Sequence, residues 1–155
     1  MIINDYKISL LSFKILNSDN EIINYITTKE NIPVSTTINC VIYFPDDTKK
    51  DILNNVRQYP HIKYNFYSDI TYKNRYIAMQ RIEIPIDKLM KTSFMNLSFD
   101  FKVPSTLPDS NNNLIEVKNC NIKLLLSPKP FGEMGFSEVV RLGTFFETTV
   151  PVIKE

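Results

Sequence analysis

Residues 34–44 read Val34-Ser35-Thr36-Thr37-Ile38-Asn39-Cys40-Val41-Ile42-Tyr43-Phe44. Val34, Thr36, Ile38, Cys40, Ile42 and Phe44 fall on one side of an extended chain. Ser35, Thr37, Asn39, Val41 and Tyr43 fall on the other. This period of two marks a half-buried strand rather than a helix. Residues 94–103 repeat it, with Met95, Leu97, Phe99, Phe101 and Val103 inward and Asn96, Ser98, Asp100 and Lys102 outward. One apolar and one solvated face is the signature of antiparallel strands.

The same pattern extends outward along the chain. Tyr6 to Leu16 alternates with a phase slip. Tyr6, Ile8 and Leu10 share a face, then Leu11, Phe13 and Ile15 take over. One extra residue near Leu10-Leu11 restores the register, which predicts a β-bulge. A second slip separates Ile77 and Met79 from Ile82, Ile84 and Ile86, and places a bulge near Gln80-Arg81. Further strands are expected at Glu21–Thr27, His61–Ser68, Leu114–Leu126 and Glu138–Ile153. In the His61 strand, Ile62, Tyr64 and Phe66 are expected inward, and Lys63, Asn65 and Tyr67 outward.

One helix interrupts the strands. Asp46-Asp47-Thr48 precedes Lys49 to Tyr59, where Ile52, Leu53 and Val56 form a narrow apolar stripe. Thr48 with Asp51 resembles a capping box, and Pro60 stops the helix. A short turn of helix is expected at Asp87–Met90. The whole chain, residues 1–155, thus reads as a single mainly β domain. Its expected form is an antiparallel β-sandwich or barrel-like fold with one short inserted helix.

Composition narrows the function. The chain has three glycines, Gly132, Gly135 and Gly143, and one alanine, Ala78. Gly-rich dinucleotide and phosphate loops are therefore excluded, since both need several glycines where backbone approaches phosphate. A G-x-S-x-G nucleophile elbow is absent as well. Turns in the first 131 residues fall to Asn, Asp and Pro, as in Asn17-Ser18-Asp19-Asn20, Lys73-Asn74 and Asp109–Asn113. The formal net charge is +1, so attraction to polyanions must be local. No apolar leader or membrane-spanning run is expected.

Ile occurs 20 times, Asn 16 and Lys 14. These residues use AT-rich codons, which suits a bacteriophage of a low-GC host, a low-GC bacterium or a large virus.

Few residues suit catalysis. His61 is the only histidine, so any Ser-His-Asp or Cys-His site must use it. Cys40, His61 and Cys120 show no metal-ligand spacing. The two cysteines are expected to be buried thiols, with a disulfide between adjacent strands as the alternative. Asp46, Asp47, Asp69, Glu83, Asp100 and Glu116 are the mid-chain carboxylates that could pair for acid–base work; Asp100 and Glu116 fall on expected solvent faces, and helix capping explains Asp46-Asp47. Asp109, Asn111 and Asn113 offer oxygens at alternate positions but lack the Gly and final Glu of an EF-hand loop. No catalytic residue, cofactor or metal is expected.

Two stretches suit partners. Arg57 to Arg81 interleaves Tyr59, Tyr64, Phe66, Tyr67, Tyr72 and Tyr76 with Arg57, Lys63, Lys73, Arg75 and Arg81, and Asp69 is its only acid. Such a stretch suits a protein interface, a nucleic-acid backbone with stacked bases, sugar rings, or cross-strand Tyr pairs in a hairpin. Residues 127–136 form a Pro- and Gly-containing loop with Phe131, Met134 and Phe136 as apolar contacts. The candidate interface is therefore Tyr59, Tyr67, Tyr72, Arg75, Tyr76, Phe131, Met134 and Phe136.

The expectation is a non-enzymatic structural subunit of a larger assembly, of the kind found in a phage or virus tail, neck or baseplate. Its partners would be other protein subunits, itself included, and its place the virion or the host cytoplasm during assembly. The alternative is a β-sandwich module that uses the Tyr/Arg face for nucleic acid or carbohydrate.

Overall fold

The computed structural model describes residues 5–129 and 135–155. In chain order the strands are β1 (Ser9–Leu16), β2 (Ile22–Ile23), β3 (Ile26–Thr28), β4 (Val34–Tyr43), β5 (Lys63–Tyr72), β6 (Arg75–Glu83), β7 (Phe94–Val103), β8 (Thr106–Pro108), β9 (Leu114–Glu116), β10 (Asn119–Lys129) and β11 (Thr144–Lys154). The helices are α1 (Asp46–Gln58), α2 (Ile86–Lys91) and α3 (Phe136–Gly143). The chain is mainly β, as the alternation predicts.

A four-stranded sheet in the order β2-β1-β4-β7 faces a five-stranded sheet in the order β3-β11-β10-β5-β6. All their pairings are antiparallel except β11 with β3. One apolar core joins the sheets. It takes Ile38, Ile42 and Phe99 from the first, and Phe66, Ile70, Ile122 and Leu124 from the second, all at most 1% exposed. The β7 faces fall as read, with Met95, Leu97, Phe99, Phe101 and Val103 buried and the residues between them exposed. Burying each such side chain contributes about 1.5–3 kcal/mol.

The β1 bulge lies where the phase slip places it. Leu10 pairs with Ile42 and Ser12 with Val41, so Leu11 is the extra residue. The second bulge lies three residues before its expected place. Ala78 opposes Ile70 and Tyr76 opposes Thr71, so Ile77, not Gln80-Arg81, is unpaired. Alternation from Ala78 to Glu83 is regular in the pairing. Ile82, Ile84 and Ile86 suggested one continuous strand, but β6 ends at Glu83 and Ile86 opens α2.

Turns form without glycine. Lys73 and Asn74 both have positive φ, 48° and 61°, and join Tyr72 to Arg75 in a two-residue hairpin. Positive φ at both central positions matches the twist of the flanking strands, and Asn tolerates it best. Asn17 Oδ1 accepts the amides of Asp19 and Glu21, and Asp109 Oδ1 accepts those of Asn111 and Asn113 at 2.8 and 2.9 Å. Asp109 thus forms the turn.

Several expected boundaries change. Helix α1 starts at Asp46, so Thr48 lies inside it and forms no capping box. The Thr48 hydroxyl instead donates to the Tyr6 carbonyl and ties the N-terminal segment to the helix. The strand expected at Glu21–Thr27 is two short ones, β2 and β3. That at Leu114–Leu126 divides into β9, in a small hairpin with β8, and β10.

The largest change is at Glu138–Ile153. Residues 136–143 are helical, and β11 begins only at Thr144. Val139 and Val140 read equally well as strand or helix in a short run. Helical geometry wins because it turns Val139 and Val140 onto Tyr67, Leu125 and Met79, on the outer face of the five-stranded sheet. The middle of that face is thereby buried, and so is most of β5 on both sides.

Gly143 lets α3 end against the sheet. A Cβ there would lie 2.2 Å from the Leu126 carbonyl oxygen, so any side chain must displace backbone. Gly143→Ala is expected to destabilise the chain by about 1–3 kcal/mol through overpacking. Urea unfolding checks this, and an unchanged midpoint would contradict the close approach.

Candidate interface surfaces

The strand directions define two ends of the sandwich. One end carries α1, α2 and the start of α3. The other carries the β1–β2 turn, residues 29–33, the Lys73-Asn74 hairpin, the β8–β9 hairpin and the C-terminus. Ten-residue strands at about 3.3 Å per residue put these ends roughly 30 Å apart.

The Tyr/Arg stretch does not form one surface. Tyr59, at the end of α1, is 44% exposed and meets His61 edge-on at 6.3 Å. Tyr76 is 63% exposed but lies at the opposite end with half-buried Arg75. Between them the rings are buried. Tyr64 packs edge-on against Tyr6, and its hydroxyl accepts a hydrogen bond from Asn55 Nδ2 at 2.6 Å. Tyr72 lies in the core with Lys73 Nζ 5.4 Å from its ring centre.

Tyr67 was expected outward, and its side chain does leave the core face, but α3 covers it to 5% exposure. Burial pushes the Tyr67 pKa up, and the neighbouring Arg81 charge offsets only part of this. Of the three residues expected outward, Lys63 is exposed, while Asn65 and Tyr67 are buried. A buried ring offers no face to a base or a sugar. Phe131 and Met134 lie outside the described residues. Phe136 opens α3.

Their surroundings hold the two core cysteines as thiols. Cys40 and Cys120 are free and buried, and burial pushes both thiols up to about 12. Neither is a thiolate at neutral pH. His61 is exposed, at the mouth of β5. Among the described residues no three His, Cys, Asp or Glu gather in a metal-binding group, and no helix is long and apolar enough to cross a membrane.

Two features escaped the sequence reading. The first is the end of the sandwich away from α1. Ile22, Ile32, Tyr76 and Leu114 there are 64, 60, 63 and 72% exposed, with Tyr25 and Ile153 nearby at 43 and 49%. These residues come from five separate chain segments, so no window of sequence shows them together. The pairing of β3 with β11 and the Glu155 amide donating to the Thr28 carbonyl at 2.8 Å tie the C-terminal strand to the segment that leads into the loop carrying Ile32.

The second is Asp69, which is 8% exposed on the outer face of β5. It stands in register with Lys123, and Lys123 in register with Glu147. Burial raises the Asp69 pKa, and the Lys123 charge offsets only part of this.

No family model matches the chain, and no curated protein matches it. Among solved structures it is similar to a β-glucosidase from Listeria innocua in complex with gluconolactone, at 8% identity and a TM-score of 0.35. The superposition covers 92% of this chain and only 16% of that one. A likeness this loose supports no statement about the present chain.

The raised Asp69 pKa makes a pH-dependent prediction. The folded state binds the proton more tightly than the unfolded chain. Its contribution is complete below the ordinary aspartate range and is lost as pH rises through the folded-state value. Asp69→Asn should therefore raise the melting temperature at neutral pH, with the gain vanishing in acid. A variant less stable at neutral pH than the native chain would contradict this.

Proposed function

We propose that the chain is a non-enzymatic subunit of a larger protein assembly, joined through the end of the sandwich opposite α1. The observation that carries this is the set of large apolar side chains held in water there. Ile22, Ile32, Tyr76 and Leu114 are each at least 60% exposed. Scattered exposed apolar residues need no explanation, but several from different loops at one end of a fold suit a protein contact. The backbone pairing of β3 with β11 holds part of that end in shape, which lowers the ordering cost of association.

The usage of residues with AT-rich codons fits a low-GC bacterium as well as a phage or large virus; on this reading the chain is a tail, neck or baseplate component of a phage or virus of a low-GC host. The partners are other protein subunits, a second copy of this chain among them. A Tyr/Arg grip on nucleic acid or sugar has less support, because Tyr64, Tyr67 and Tyr72 are buried.

Sedimentation across a rising concentration series tests the proposal. Self-association is expected at high concentration, and Ile32→Lys with Leu114→Lys should return the chain to monomer with unchanged circular dichroism. A strictly monomeric native chain, or association indifferent to both substitutions, would overturn it.

A further inference from the structure

Among the described residues, the large apolar side chains left most exposed sort to the two ends of the sandwich. At the end away from α1, the far end, these are Ile22, Ile32, Tyr76 and Leu114. At the α1 end they are Leu11, Tyr59, Met90 and Phe94, at 55, 44, 53 and 55% exposure. Leu11, the extra residue of the β1 bulge, lies between the Leu10–Ile42 and Ser12–Val41 pairs. Phe94 opens β7 opposite Tyr43, and their rings lie 5.2 Å apart. Among the described residues none stands at mid-strand on the outer face of either sheet.

The two ends differ in shape. Beside Phe94 a cleft of about 300 Å³ runs between β6 and β7. Ile82, Ile84, Pro85, Met95 and Leu97 line it with Phe94, and the core residue Phe66 reaches it. Lys88 also lines it, and Met90 lies between Lys88 and Phe94 in the chain. The cleft exists because β6 and β7 form no ladder among the described residues. The Asp100 amide, donating to Gln80 Oε1 at 2.9 Å, spans the seam further along. The far end instead projects. Leu114, 72% exposed, opens β9 in the β8–β9 hairpin, which belongs to neither large sheet.

We propose that copies of this chain dock head to tail, with Leu114 of one copy seated in the cleft beside Phe94 of the next. This rests on the assembly reading above and names its partner and mode. A two-fold contact through the far ends covers one apolar set and leaves Tyr59, Met90 and Phe94 in water. A head-to-tail contact covers both sets at once, because each copy supplies both halves. A projecting apolar side chain that fills an apolar pocket is the form taken by strong anchors of protein contacts. The formal net charge of +1 puts little repulsion between copies. Such a contact repeats, and it gives a ring or a filament according to whether its rotation closes.

The test combines two blocked variants of the full-length chain in sedimentation, each checked for native circular dichroism. Ile32→Lys with Leu114→Lys blocks the far end, and Met90→Lys with Phe94→Lys blocks the cleft end. Alone, each should weaken self-association about tenfold or more. Mixed in equal amounts, they should form a dimer and nothing larger, because each keeps the end that the other lacks. Cysteine cross-linking checks the same contact with milder changes. Under mild oxidation Leu114→Cys alone should stay uncrosslinked, and mixed with Phe94→Cys it should give a disulfide-linked dimer. Native-strength association by the cleft-blocked variant, or a Leu114→Cys homodimer, would mean that far ends meet far ends. Either result overturns the head-to-tail proposal and leaves the assembly reading standing. So does a mixture of the two blocked variants that forms no dimer while the native chain associates. A native chain that stays monomeric at every concentration overturns both.

Discussion

The structure depends on the ladder between β5 and β10. Nine residue pairs run from Asn121–Thr71 to Lys129–Lys63 without a break. The ladder carries core residues on one side, Phe66, Ile70, Ile122, Leu124 and Leu126. On the other it carries Tyr67 and Leu125 beneath α3. Where a ladder is covered on both faces, apolar or internally paired residues are favoured. This explains why β10 holds Leu124-Leu125-Leu126, a run that breaks the alternation seen elsewhere. The double cover also explains why burial falls on Asn65, Ser68 and Asp69, polar residues on β5. Ser68 departs from the preference, its Oγ buried with no hydrogen-bond partner among the described residues.

That constraint sorts the rest of the molecule. The middle of the five-stranded sheet is committed to packing. What remains for partners is the outer face of the other sheet and the two ends. The Tyr/Arg stretch illustrates the division. It begins on a helix end, runs through the buried ladder and emerges at the opposite hairpin. Its aromatic residues were selected mostly by strand propensity and core volume, and its basic residues occupy the exposed remainder.

Strands with one solvated face were legible from the sequence. β4 and β7 were found to within a residue because their alternation is complete, and the β1 bulge because one missing step shifts every later side chain. The Lys73-Asn74 and Asp109–Asn113 turns were legible from their Asn and Asp. Strands buried on both faces were not, and of the two short helices α2 was legible to within a residue at each end while α3 was not. β5 was read as alternating, which lost Tyr67 and Asn65 to the wrong environment. α3 was read as strand because its two valines favour either state. The signal for it was present in Glu138 in the first turn, Arg141 in the last and Gly143 directly after Leu142. The outward residues of β4 and β7 were visible within single strands, but their alignment with one another and with β1 needs the register, which no single segment contains.

Native-state hydrogen exchange measures the central constraint directly. If β5 and β10 form a doubly covered ladder, the amides of Phe66 to Ile70 and Ile122 to Leu126 should exchange slowest, through global unfolding. They should remain slower than the paired amides of β1 and β4, which have one solvated face. Exchange in β5 and β10 as fast as in β1 and β4 would contradict it, and with it the placing of α3 over Tyr67 and Leu125.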